Sequence, residues 1–224
     1  MEAFLFNFFN LEILAMVWPQ LLRGLVVTLQ LSVVVVPLGL GVGLLVACAQ
    51  FFGRRWVDLA MVTYVDFLRA FPPLMLLVFA YYALPYLGLA LSTFMAVVLA
   101  LVLNTSAYFA EVFRAGIESV PKGHVEAGRS TGLSSVQTLV LVVLPQAVRK
   151  MLPDLLSNIL ETVKLTSLAS VVTLPELLRV ARMAQGNTFN ASPLVAAALI
   201  YLLLLWPVVR VLSHMEKKTQ SAAR

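Results

Sequence analysis

Charge is the first thing this sequence is short of. Only 12% of its 224 residues are charged, against 61% hydrophobic, and the mean hydropathy is +0.93. Soluble domains average about 25% charged and about 45–50% apolar residues, so water is the wrong solvent for most of this surface. Cysteine is nearly absent as well, and the lone Cys48 excludes a disulfide within the chain. The two histidines, His124 and His214, are far apart with no cysteine cluster beside them, which argues against a structural metal site. No motif for a hydrolytic nucleophile is present. Gly123-x-x-x-x-Gly128-Arg129-Ser130 approaches a phosphate-binding loop, but arginine replaces the lysine that reaches the terminal phosphates and no strand precedes it. The match is read as coincidental. The first nine residues carry Glu2 and no positive charge, so the basic start of a signal peptide is missing.

Long apolar runs are what the sequence has. Crossing about 30 Å of hydrocarbon takes roughly 20 apolar residues in a helix. Five stretches qualify as spans: Leu25 to about Phe52, Pro73–Leu87 with help from Trp56–Phe71, Ser92–Phe113, Pro153–Val172, and one opened by Ser192-Pro193 that runs to about Leu212. The expectation is an all-α membrane protein of about five transmembrane helices in one domain, 1–224. Residues 1–22 are apolar but interrupted by Asn7, Asn10, Glu12 and Pro19, which fits an interfacial helix better than a span. Gln137–Leu144 is too short to cross and Pro145 closes it. Gly39 and Gly43 have the small-xxx-small spacing that lets helices approach closely, and Pro37 is a candidate kink. No internal repeat is convincing.

The formal net charge is +5, and the loop placement of the basic residues sets an orientation. If five spans alternate, Arg54, Arg55, Arg114, Lys122, Arg129, Arg149, Lys150, Lys217, Lys218 and Arg224 share one side. Positive charge collects on the cytoplasmic side, so the N-terminus is expected outside and the C-terminus inside. This accounts for the basic balance without nucleic acid. Trp56 and Trp206 are expected at the inner interface, where aromatic belts lie. Outside, Pro175–Ala184 reads as a short amphipathic helix with Glu176, Arg179 and Arg182 on one side.

Between the third and fourth spans, about 118–135, lies the most distinctive loop. Pro121 forces Val120 to be extended and suits a first helical turn, and Gly132 can supply the left-handed residue that ends a helix. They bracket a helix of about ten residues, too short to span. Ser134 and Gln137 form a capping box for the next helix. A short helix held between two membrane helices suits docking onto a partner, though a solvated loop helix has the same signature.

Family resemblance separates those readings. Glu126-Ala127-Gly128, then Gly132, then Leu144-Pro145 resembles the EAA loop of ABC-importer permeases. Tyr108–Ile117, Leu144–Arg149, Lys164-Leu-Thr-Ser-Leu168 and Thr28-Leu29 with Leu31-Ser32 are similar to the polar-amino-acid permeases, which include histidine, glutamine and glutamate importers. The resemblance covers nearly the whole chain. It implies a type I ABC-importer permease fold in a bacterial inner membrane. It also implies two permease subunits (a second copy or a sister permease), two ATPase subunits that hold ATP and magnesium, and an external solute-binding protein. This chain would then be no enzyme and bind no cofactor itself. The loop helix becomes a cytoplasmic coupling helix in which Pro121, Glu126, Ala127, Gly128 and Gly132 serve ATPase coupling. The sequence departs from the family at Gly128, usually alanine, at His124, often glutamine, at Leu165, usually aspartate, and in Arg69-Ala70-Phe71-Pro72, usually Arg-Gly-Thr-Pro.

Polar residues inside the apolar stretches mark a path. Asp154, Asn158, Glu161 and Lys164 form one drifting stripe on the fourth span, and Asn104, Tyr108 and Glu111 form another on the third. A charge at the bilayer centre costs roughly 2.5–3.5 kcal/mol on insertion scales, so a water-filled path or a subunit interface suits these faces better than lipid. Near the cytoplasmic ends, Glu111 and Asp154 read as snorkelling or capping groups. Glu161 and Lys164 read either as a mutual i,i+3 ion pair or as solute contacts. The expected path residues are Asn104, Glu161, Lys164, Thr166 and Ser167. An ion-coupled secondary transporter built on Glu161 and Lys164 is the competing function, though such proteins usually show inverted repeats.

Overall fold

The computed structural model describes residues 1–52 and 55–222, and it is helical almost throughout. Arg54 and Arg224, counted in the charge bias, lie outside the described residues, as do the side chains of Lys217 and Lys218.

A short helix, α1 (Glu2–Phe8), precedes α2 (Leu11–Phe51). Asn10 caps α2 by accepting from the Ile13 N–H at 3.1 Å. Helix α2 is continuous for 41 residues through Pro19 and Pro37, so the second half of the segment expected at the interface, residues 1–22, and the first span share one helix. Packing explains the difference. Val17 and Leu21 are buried against Leu177, Ala181 and Ala197, and membrane helices tolerate proline where neighbouring helices support them. The junction between α1 and α2 is tied to the start of the last helix. Asn190 Nδ2 donates to Phe6 O at 2.8 Å, and the Asn10 N–H donates to Ser192 Oγ at 2.8 Å.

Helix α3 (Arg55–Ala70) ends at Pro72-Pro73, where α4 (Pro73–Val78) begins and continues through a π-helical turn, Phe79–Ala83, and a 3₁₀ turn, Leu84–Leu87. The two arms meet at 97°. Helix α5 (Thr93–Glu118), capped by Ser92, is the central post. Its Val97, Leu101 and Phe109 are fully buried, and Gly39 and Gly43 bring α2 into close contact with it.

After α5 come α6 (Lys122–Ser130) and α7 (Ser135–Thr138). A π-helical turn, Leu139–Val143, then runs directly into α8 (Leu144–Leu165). Pro145 thus opens a helix that it was expected to close off. Proline is comfortable in a first turn, where its missing N–H is not needed. The fourth span accordingly starts before Pro153, which lies within α8. Beyond α8 a 3₁₀ stretch, Thr166–Val172, ends at Thr173 in the left-handed region (φ 64°). Helix α9 (Leu177–Thr188) and the long α10 (Ser192–Ala222) complete the chain.

Helices α2, α5 and α10 are each long and apolar enough to cross a membrane, and the bent α3–α4 pair together makes a fourth such unit. The 22 residues of α8 reach about 33 Å at 1.5 Å per residue, so it has the length of the fifth. Its charged side chains keep it from being equally apolar.

Glu176 departs from expectation. It is fully buried at the N-terminus of α9, not on a solvated face. Its carboxylate accepts the N–H groups of Leu178 (2.8 Å) and Arg179 (2.7 Å) and the Tyr201 hydroxyl (3.1 Å). Burial pushes this carboxyl up, while those donors pull it back. Glu176→Leu would strand three donors, and each unsatisfied buried polar group costs about 1–3 kcal/mol. The expected result is a clear fall in the melting midpoint of the detergent-solubilised protein, with a smaller fall for Glu176→Gln, which keeps an acceptor. Equal midpoints for Leu and wild type would contradict this account.

Candidate functional site

Two parts of the fold hold the residues singled out by the sequence. The first is α6. Pro121 precedes it in an extended conformation (ψ 134°), and Gly132 follows it at φ +87°, the left-handed region that favours glycine. Both bonds of the capping box are present: the Ser134 N–H donates to Gln137 Oε1 (2.8 Å) and the Gln137 N–H to Ser134 Oγ (3.2 Å). Gly128 is buried against the following segment, where an added Cβ would lie 3.1 Å from Thr138 Cγ2 and 3.3 Å from Val142 Cγ2. The family's usual alanine is therefore a tight fit here, which gives the departure at Gly128 a local packing reason. Pro121, Glu126 and Ala127 are exposed, and Glu126 forms no ion pair among the described residues.

Helix α6 is fastened to the base of α8. His124 Nδ1 and Gln146 Oε1 share a hydrogen bond of 2.8 Å, and Lys150 Nζ donates to Ser119 O at 2.7 Å. His124, the second departure in this loop, thus joins the short helix to the membrane helix.

The second part is a cavity of about 260 Å³ between α5, α8 and the start of α4. Asn104, Thr105 and Tyr108 of α5 face Asn158, Glu161, Thr162 and Leu165 of α8, with Pro73 at the edge. Asn104 is fully buried and donates through Nδ2 to Leu68 O at 3.3 Å. Its Oδ1 has no hydrogen-bond partner among the described residues, and neither has the buried Thr105 Oγ1. Neither atom opens onto the cavity, and Thr105 Oγ1 faces α2 at Gly39.

The expected path residues divide. Asn104 and Glu161 line this cavity. Lys164 and Ser167 line a larger crevice of about 650 Å³ walled by apolar residues of α9 and α10, including Leu202, Leu205 and Trp206. Thr166 is fully buried and donates to Val163 O at 2.7 Å. Glu161 and Lys164 form the i,i+3 pair at 3.0 Å, with side chains 59% and 55% exposed in the single chain. Leu165, which stands where the family has aspartate, lies on the cavity wall. Sequence reasoning did not single out Thr105 and Thr162, since threonine is ordinary in membrane helices. Their one signal is adjacency to Asn104 and Glu161.

Glu111, near the C-terminal end of α5, is ion-paired. Arg114 holds it through two contacts (2.6 and 3.2 Å) and reaches Glu118 at 2.7 Å, while Arg69 approaches it from α3 at 3.8 Å.

The geometry has close counterparts among known proteins. Residues 39–221 match the model of the binding-protein-dependent transport system inner membrane component. A probable amino-acid ABC transporter permease of Bacillus subtilis is 35% identical over 194 residues, 86% of each chain. The glutamine transport system permease of Escherichia coli is 32% identical over 208 residues, 90% of this chain and 95% of its own. A crystal structure of an amino acid ABC transporter with histidines superposes with a TM-score of 0.82 at 32% identity, covering 92% of this chain and 98% of that one. An inward-facing methionine ABC transporter, at 19% identity and a TM-score of 0.72, shares the fold. This chain belongs to the binding-protein-dependent transport system inner membrane component family, the permease subunits of ABC importers.

Proposed function

We propose that the chain forms half of the translocation pathway of an ATP-driven importer for a polar amino acid. ATP and magnesium bind a partner ATPase seated on α6, and an external solute-binding protein delivers the solute. The observation that carries the reading is the cavity of about 260 Å³ where Asn104, Thr105 and Tyr108 of α5 face Asn158, Glu161 and Thr162 of α8. The named relatives act on glutamine or amino acids, which supports that solute class. Polar faces of α5 and α8 that lipid would not tolerate call for a second permease, either a copy or a sister chain. The charge bias puts the N-terminus outside and α6, with the C-terminus, in the cytoplasm. Family membership lends nothing to the ion-coupled alternative.

In this reading the Glu161 carboxylate takes the solute ammonium. Glu161→Gln is expected to lower uptake by about tenfold, the effect of losing roughly 1.4 kcal/mol, without weakening ATPase binding. The double variant Glu161→Gln/Lys164→Gln separates this from a purely structural pair. Removing both charges of a structural pair should restore uptake, because the harm lies in leaving one charge unpaired. A solute contact gives no rescue. Wild-type uptake by Glu161→Gln, measured with labelled glutamine and the native solute-binding protein, would refute the role.

A further inference from the structure

The solute cavity does not run freely toward α6. A second cleft of about 320 Å³, lined by Gln50, Asp66, Arg69, Glu111, Arg114 and Glu118 among others, continues along α5 in that direction. Tyr108 lines the first cavity and Arg69 the second. Between the two spaces the Arg69 guanidinium stacks over the Tyr108 ring, 5.6 Å from its centroid. We propose that this Arg69–Tyr108 contact is the barrier between the solute cavity and its exit cleft, which makes Arg69 a gating residue of transport.

Three features fit Arg69 for the role. It sits in the last turn of α3, immediately before the 97° elbow, while Pro73 just after the elbow lines the solute cavity. Bending or straightening the elbow therefore moves the barrier and the cavity wall together. Its hold is weak: the carboxylate of Glu111 is 3.8 Å away, no hydrogen bond joins them, and the same carboxylate is already engaged by Arg114. Stacking and ion pairing of partly exposed groups are easily broken, as a gate requires. The neighbouring Leu68 carbonyl is held by Asn104 Nδ2, and Asn104 is a lining residue of the solute cavity. One side chain thus links the cavity wall to the elbow.

The proposal rests on the pathway reading above, and its test separates the two. In a Cys48→Ala background, Asn158→Cys places a thiol in the solute cavity. The complete complex with its ATPase is exposed, in membrane vesicles with the α6 face outward and without nucleotide, to a charged, membrane-impermeant methanethiosulfonate. Arg69→Met is expected to speed labelling by at least about tenfold, and Arg69→Lys, which keeps the charge but loses the planar stack, by less. Tyr108→Leu removes the same contact from the other side and should match Arg69→Met, which covers the case of one variant losing its ATPase. Unchanged rates in both variants overturn the gate while leaving the pathway intact, provided the thiol reacts from the opposite face. A thiol unreactive from either face in every variant overturns the pathway, and the gate with it.

Discussion

Glu126→Ala is expected to weaken binding of the partner ATPase by at least about tenfold and to depress uptake in proportion. Truncating one member of a buried charge pair at an interface costs about 2–5 kcal/mol, because the surviving charge is left without its partner. The chain itself should not notice the change. Glu126 is exposed, its side chain forms no ion pair among the described residues, and alanine is a better helix former than glutamate. The bond from Ser130 Oγ goes to the backbone oxygen of Glu126 and survives the substitution. The face of α6 that packs on the protein is that of Gly128, not of Glu126. Titrating purified permease with its ATPase and comparing wild type with the variant gives the answer. Equal affinities would mean that α6 docks by shape alone.

The second large effect concerns folding. On α2, Gly43→Leu is expected to abolish a well-packed protein, while Gly41→Leu, two residues earlier, should be tolerated. A Cβ at Gly43 would sit 2.7 Å from Phe109 Cβ and 2.9 Å from both Ala110 N and Ser106 O, and backbone atoms cannot step aside. At Gly41 nothing lies within 4 Å. Overpacking a dense interior typically costs 1–3 kcal/mol, and a leucine driven into the α5 backbone belongs at or above about 3 kcal/mol. Gly39→Ala should be intermediate and more specific. Its Cβ would meet Thr105 Oγ1 at 2.6 Å, so Thr105, a lining residue of the solute cavity, would have to give way. Melting of the detergent-solubilised protein, followed by size-exclusion chromatography, ranks the three variants. A Gly43→Leu protein as stable as Gly41→Leu would show that α2 and α5 do not pack as described.

Local chemistry was the most legible part of this chain. The capping box at Ser134 and Gln137 and the helix bounded by Pro121 and Gly132 could be read directly, because each depends on residues within a few positions of one another. The same holds for Gly39 and Gly43, whose spacing is itself the packing signal. Errors came where distant contacts overrode local signals. Pro19 and the polar residues around it set residues 1–22 apart from the first span, yet α2 runs unbroken from Leu11, with Val17 and Leu21 buried under α9 and α10. Pro145 looked like a terminator, but it serves equally well as an opening residue. Glu176 looked like a surface charge because nothing nearby in sequence announces Tyr201. The path residues were half legible. Periodicity placed Asn104 and Glu161 on polar stripes, but the drift of the stripe on α8 carries Lys164 and Ser167 round to the crevice beside α9 and α10.

The polarity of α8 also constrains how the protein is made. A segment that carries Arg149, Lys150, Asp154, Glu161 and Lys164 would partition poorly into lipid as a lone helix leaving the translocon. Neither arm of the α3–α4 elbow is long enough to settle there alone. Each segment therefore needs apolar companions: α2 and α5 flank the elbow, and α5 before and α10 after flank the polar α8. Membrane integration of this chain is then a collective event, in which α8 settles against α5 and α10 and does not partition alone.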